Sequence, residues 1–227
     1  MAGQASPRQL SFALDHAESF AREDFIAGPS NTAALAWIDC WPDWPERSMV
    51  LTGPEDSGKS HLAAIWAEQA GARILSARLL PQAALPAALS TGALVLEDLS
   101  PDGLDERALF HLLNLAREER AFLLLTARTP PAGWAIEIHD LGSRLRALPA
   151  AGVTAPDDGL LRALIVKLAT DRQLDFDGNL VRYLAERIER SFAGARSAVA
   201  RLDQEAMRQQ RPVTRALAAE LFRNSPM

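Results

Sequence analysis

The sequence predicts an α/β protein, a parallel sheet flanked by helices, joined to a smaller all-α unit. Three features of the chain point there. Short, wholly apolar runs alternate with helical stretches up to about residue 155. One of those runs opens into a glycine-rich turn, and beyond Pro156 only helical patterns remain.

Taken in order, residues 1–18 read as a tail, with Gly3, Ser6 and Pro7 early and no sustained hydrophobic period. From Asn31 to about Ile38 the apolar spacing suits a helix, which Cys40-Trp41-Pro42-Asp43-Trp44-Pro45 must then break. The two tryptophans are read as rings capping the edge of a core rather than as an adhesive surface. Met49-Val50-Leu51 predicts a strand, His61 to Gln69 a helix, and Arg73-Ile74-Leu75 a second strand. Ala93-Leu94-Val95-Leu96, ending in Glu97-Asp98, has the unbroken apolar character of a buried parallel strand. A helix over Leu104 to Glu118 and a further buried strand over Ala121 to Thr126 follow. In the last third, Asp157 or Asp158 caps a helix running to about Thr170. Asp177 caps another to about Glu189, Ser191 a third to about Gln210, and Thr214 a short last one.

Composition narrows the function. The 227 residues are 48% hydrophobic and 23% charged, ordinary for a globular protein, and the formal charge of −5 argues against a protein that chiefly coats nucleic acid. Charge is uneven, however: residues 156–227 hold 12 Lys and Arg against 10 Asp and Glu, so this part is better suited to an anionic partner. Cys40 is the only cysteine, which excludes an internal disulfide and fits a reducing compartment. Asp15 and His16 interrupt the one apolar stretch near the start, and no run approaches the roughly 18 residues of a membrane helix. A cytoplasmic protein without a membrane partner is expected.

Gly53-Pro54-Glu55-Asp56-Ser57-Gly58-Lys59-Ser60 matches the full phosphate-loop pattern G-x-x-x-x-G-K-[ST], with His61 following. Its glycines let the backbone turn tightly enough for successive N–H groups to face phosphates. Lys59 suits the β- and γ-phosphate oxygens, the Ser60 hydroxyl suits Mg²⁺, and the next helix aims its positive end at the same anion. ADP or ATP with Mg²⁺ is the expected ligand. The chain has only two lysines, Lys59 and Lys167, and Lys167 is read as lying on an ordinary helix face. Glu97 and Asp98, at a strand end downstream, fit the second half of such a site, one holding the metal's water shell and the other polarising a water. Solvated strand-end acids are the plainer alternative.

At this point the sequence resembles the DnaA family of AAA+ replication proteins. Ser19-Phe20 through Phe25-Ile26-Ala27-Gly28-Pro29-Ser30-Asn31 is similar to the family's adenine-pocket segment, which implies base contacts for Phe25, Ile26 and Asn31. Glu106 to Asn114, with Leu109-Phe110-His111, is similar to the helix after the family's second acidic motif. Leu124-Leu125-Thr126 before Pro130-Pro131 resembles its sensor I strand and assigns that role to Thr126. Leu141-Gly142-Ser143-Arg144-Leu145 resembles its box VII, so Arg144 is implied to reach a neighbouring subunit's nucleotide as a trans arginine finger. The C-terminal helices resemble its lid.

The resemblance divides the chain into a tail over 1–18, an AAA+ α/β domain over 19–155 and an α-helical lid over 156–227. It carries departures. The sequence ends after the lid-like helices, without the family's DNA-reading helix-turn-helix domain. In the tail, Gln9-Leu10-Ser11-Phe12-Ala13-Leu14 is similar to sliding-clamp-binding peptides, in which Gln9 meets a pocket rim and Leu10, Phe12 and Leu14 fill an apolar groove. This combination resembles the Hda-type regulators, which inactivate DnaA after replication starts. It implies DnaA and the β sliding clamp of DNA polymerase as partners, with DNA met through the clamp, and it leaves a homodimer or higher oligomer open. Glu97 stands where the family usually has its first Asp, Arg128 falls near the usual acidic residue of sensor I, and Ala193 occupies the position of the lid's usual sensing arginine, so Arg190 and Arg196, each three residues from it, become the lid candidates. Nucleotide binding is therefore expected, with little or no independent turnover. A self-contained ATPase of helicase-loader type and a nucleotide-gated adaptor that sequesters DnaA are the alternatives.

Overall fold

The computed structural model describes residues 20–80 and 85–223, so the clamp-like segment, Gln9 to Leu14, lies outside the described residues. Five parallel strands form one sheet: β1 (Ser48–Thr52), β2 (Arg73–Ser76), β3 (Ala93–Leu99), β4 (Phe122–Ala127) and β5 (Ala150–Gly152), in the order β2-β3-β4-β1-β5. The helices among them are α1 (Thr32–Asp39), α2 (Lys59–Ala70), the short α3 (Leu85–Ala88), α4 (Glu106–Glu118) and α5 (His139–Ala147). Beyond the sheet follow α6 (Asp158–Asp171), α7 (Gly178–Ala185), α8 (Phe192–Gln209) and α9 (Arg215–Phe222).

Both faces of the sheet are buried, which is why its central strands are apolar throughout rather than alternating. Val50, Leu94, Leu96, Leu123 and Leu125 pack on one face with Leu109 and Leu112 of α4 and Leu141 and Leu145 of α5. Met49, Leu51, Val95 and Leu124 pack on the other with α1 and α2. Adjacent residues of one strand thus enter different cores, and each fully buried leucine removes enough apolar surface to favour folding by ~1.5–3 kcal/mol. Trp44 is buried there too, stacked on Trp66 at 5.1 Å, and its Nε1 donates to the Trp37 carbonyl at 2.7 Å. Trp41 meets Trp66 and Phe122 edge-on, so the Trp-Pro segment closes a core edge.

Helices α6 to α9 build a third core around Leu161, Ile165, Leu184, Val199, Leu202 and Leu217. Their starts obey local capping: Asp157, Asp177, Ser191 and Thr214 each accept a hydrogen bond from the amide three residues on. Helix α7 ends at Ala185, short of the expected Glu189. Among the described residues no helix is long and apolar enough to cross a membrane.

Two differences from the sequence reading affect the site. Strand β3 does not stop at Glu97-Asp98 but runs on to Leu99, with a register shift between Leu96 and Leu99 and a left-handed φ of 60° at Asp98. A short strand the sequence did not predict, β5, follows α5, so Arg144 on that helix lies between β4 and β5. Strand β5 escaped notice because Ala150-Ala151-Gly152 carries no bulky apolar signal.

Candidate functional site

All four principal contributors to the site leave the C-terminal edge of the parallel sheet, the place where such sheets bind ligands. The glycine-rich loop follows β1, Asp98 sits in the β3 bulge, Arg128 follows β4, and Ser76 ends β2 with Ala77 and Arg78 just beyond it. With α6 and α8 opposite, they line a cleft of about 1180 Å³.

The loop's shape depends on two glycines. A Cβ on Gly53, whose φ is 157°, would lie 2.2 Å from the Val153 carbonyl, because β5 runs against β1 there. Gly58, at φ 95°, caps α2 in the left-handed region, with Phe25 and Phe192 rings 3.9 Å from where a Cβ would stand. The buried Lys59 folds back over the loop, its Nζ donating to the carbonyls of Gly53 at 2.9 Å and Pro54 at 2.5 Å. Burial pushes its pKa below the ordinary lysine value; Asp98, Asp56 and Glu55 pull it back, while Arg128 pushes it further down. An arriving anion therefore meets an ammonium whose partners are neutral carbonyls, together with the unpaired first-turn amides of α2.

One wall of the cleft, adjoining the loop at Gly58, carries apolar side chains. Phe25 and Ile26 line it from the sheet side, and Leu164, Leu168 and Phe192 from the helices. His61 anchors this wall: its Nε2 lies 3.0 Å from the Ala21 carbonyl, and Phe20 and Phe25 meet its ring edge-on at 5.4 and 5.2 Å. Aromatic and apolar faces of this kind suit a flat heterocycle.

Several expected site residues stand elsewhere. Glu55, Asp56, Ser57, Gly58, Lys59, Ser60 and His61 line the cleft, whereas Gly53 and Pro54 lie behind it as the loop's entry. Asn31 does not line it. Its side chain is buried, Oδ1 accepting from the Gly28 amide at 2.8 Å and Nδ2 donating to the Ile26 carbonyl at 3.0 Å, so it shapes the pocket segment from beneath. Of the three metal candidates, Ser60 and Asp98 line the cleft and Glu97 does not. The bulge breaks the strand's alternation, and Glu97 Oε1 is buried without a hydrogen-bond partner. Thr126 is also buried, its Oγ1 accepting from the Asp98 amide at 3.0 Å; it holds the bulge rather than facing the cleft. Ser60 and Asp98 form a hydroxyl and carboxylate set suited to Mg²⁺, which binds through few protein oxygens.

The helical side separates the two lid candidates. Arg196 lines the cleft; Arg190 stands outside it, paired with Asp158 at 3.0 Å. Lys167 is not on an ordinary helix face. It lines the cleft and its Nζ contacts Asp24 at 3.0 Å and Asp171 at 2.7 Å, tying α6 to the segment before α1. Burial opposes its charge, but the hydrogen bonds to Asp171 and Asp24 outweigh that and raise its pKa. Sequence reasoning missed Lys167 and treated Arg128 only as a departure; the scarcity of lysine was the one available signal. Arg144 lies away from the cleft, where its Nη1 donates to Asn114 Oδ1 at 2.7 Å, its Nε to Asp140 Oδ2 at 3.1 Å, and its guanidinium covers the Phe110 ring at 5.1 Å.

A five-stranded parallel sheet in this order, flanked by helices and followed by a helical unit across the phosphate loop, is an AAA+ P-loop fold. Domain III of the Thermotoga maritima replication initiation protein DnaA is similar over 91% of this chain and 97% of that one, with a TM-score of 0.76 and 16% identity. The AMPPCP-bound DnaA from Aquifex aeolicus is similar over 83% of this chain and 68% of its own, with a TM-score of 0.62 and 18% identity. The Thermotoga maritima RuvB Holliday junction branch migration motor is similar over 85% of this chain, which spans 66% of the RuvB chain, with a TM-score of 0.64 and 17% identity. No protein-family model matches the chain, and no curated protein matches it.

Proposed function

We propose that this protein is a nucleotide-binding AAA+ regulator of replication initiation, of the Hda type, that promotes hydrolysis of ATP held by DnaA. The observation that carries this reading is the separation of two cationic sites. Lys59 and Arg196 serve the chain's own cleft, whereas Arg144 sits on α5 away from it, free of any role in that cleft. Nucleotide binding draws support from the loop geometry and from the likeness to an AMPPCP-bound DnaA. ADP or ATP would lay its base against Phe25 and Ile26 and its phosphates over Gly58 to Ser60. Ser60 and Asp98 would hold Mg²⁺, which neutralises phosphate charge when bound.

Asp98 and Arg196 in one cleft favour a second reading, a self-contained ATPase, and an adaptor that merely sequesters DnaA is the third. ATP turnover by the protein alone, with DnaA, and with DnaA plus clamp loaded on DNA separates them. Turnover is expected only in the last mixture; turnover by the protein alone would favour the motor, and DnaA binding without acceleration the adaptor.

The tail is proposed to supply the clamp contact through Gln9, Leu10, Phe12 and Leu14. Deleting residues 1–15, or making Leu10→Ala with Phe12→Ala, is expected to abolish retention on immobilised sliding clamp while nucleotide binding persists. Equal retention of tailless and full-length protein would remove the clamp from the reading.

A further inference from the structure

We propose that Lys167 and Asp24 form a clasp across the apolar part of the cleft and set how long a bound nucleotide stays. The proposal rests on the nucleotide reading above and adds control of nucleotide exchange.

The two residues come from opposite sides. Asp24 immediately precedes Phe25 and Ile26, which line the cleft from the sheet side. Lys167 lies on α6 between Leu164, one turn earlier, and Leu168, which line it from the helical side. The contact of 3.0 Å between Lys167 Nζ and Asp24 Oδ1 therefore joins the segment that would carry the base to the helix facing it. Asp24 is a firm anchor, because the turn that holds it is tied down twice. Arg22 pairs with Asp39 of α1 at 3.0 Å, and the Ala21 carbonyl lies 3.0 Å from His61 Nε2 of α2.

Helix α6 is also seated at its start. A Cβ on Gly28 would lie 3.2 Å from Leu160 Cδ2, so the helix packs there against the backbone of the base-pocket segment. Lys167 lies two turns further on, about 10 Å along the axis. Packing fixes one point of the helix and charge fixes the other, so a pivot about Leu160 opens the clasp first. Lys167 and Asp24 are 24% and 28% exposed, sheltered enough for the pair to hold and open enough for water to receive both groups when it parts. Asp171 on the same helix meets Lys167 Nζ at 2.7 Å and keeps the ammonium partnered when it leaves Asp24. Entry and release of a nucleotide both need the helix to swing away. Loss of the clasp therefore speeds both, and affinity changes less than either rate.

The test is stopped-flow fluorescence of the full-length protein with a ribose-labelled fluorescent ADP and Mg²⁺. Association is followed first, then displacement by excess unlabelled ADP, each variant being checked by thermal melting. Lys167→Met and Asp24→Asn are each expected to speed release by about fivefold or more, with faster association as well. The double variant should release no faster than the faster single one, because both changes remove the same contact. Asp171→Asn should leave release unchanged or slow it, since Asp171 competes with Asp24 for the ammonium. Release at the parent's rate in Lys167→Met and Asp24→Asn, or additive effects in the double variant, would overturn the clasp while the nucleotide reading stands. Faster release without faster association would overturn it too, as the mark of a damaged pocket. If the parent does not bind the labelled ADP, both readings fall together.

Discussion

Replacing Lys59 by alanine is expected to weaken ADP and ATP binding by about an order of magnitude or more, because the phosphates lose a charge-assisted partner. The lysine already lies over the loop, 2.9 Å from the Gly53 carbonyl, so it needs only to exchange carbonyl oxygens for phosphate oxygens. Lys59→Met, close in volume, separates loss of charge from loss of packing and should fail equally. The sign with pH follows from the lowered pKa. Binding needs the ammonium, so affinity should decline on the alkaline side at a pH below the 10.5 ordinary for lysine. Calorimetric titration of folded variants checks both points, and unchanged affinity in Lys59→Ala would show that the loop does not hold phosphate.

Arg144→Ala is expected to keep nucleotide and clamp binding yet lose stimulation of DnaA-bound ATP hydrolysis on clamp-loaded DNA. A trans arginine stabilises the charge on the transferring phosphoryl group and accelerates such reactions by ~10³–10⁵. The fork that suits phosphate is the one now spread over Asn114 Oδ1 and Asp140 Oδ2, with the Phe110 ring beneath. These contacts join α4 to α5 and hold the guanidinium in a defined place, leaving the side chain 29% exposed. Arg144→Lys should rescue little, since a point charge cannot satisfy two acceptors in one plane. Full stimulation by the alanine variant, with a lowered melting temperature, would make Arg144 a tie between helices and nothing more.

How far the sequence reached depends on whether each feature is local. The strands over Met49, Ala93 and Phe122 were legible because their runs bury both faces, whereas a half-exposed strand commonly alternates apolar with polar residues. The helix starts at Asp157, Asp177, Ser191 and Thr214 were legible because a cap and its target lie three residues apart. The phosphate loop was legible because its glycines, lysine and serine act within eight consecutive positions. By itself, then, the sequence determined an α/β sheet with a glycine-rich anion loop and a helical unit behind it.

Which polar side chains share the cleft was decided only by tertiary structure. Glu97 and Asp98 are neighbours, and their separation into a half-buried carboxylate outside the cleft and a cleft-lining one depends on Thr126, which reaches the Asp98 amide from 28 residues away. Arg190 and Arg196 are equivalent on paper; Asp158 of α6 holds the first outside while the turn of α8 carries the second in. Lys167 became a strap because Asp24, far along the chain, is brought against α6. Asn31 became a buried support because its loop folds back onto it. Each outcome rests on contacts between distant segments, whose cost in chain entropy is met only when the whole sheet and its helices assemble, so no short window of residues encodes them.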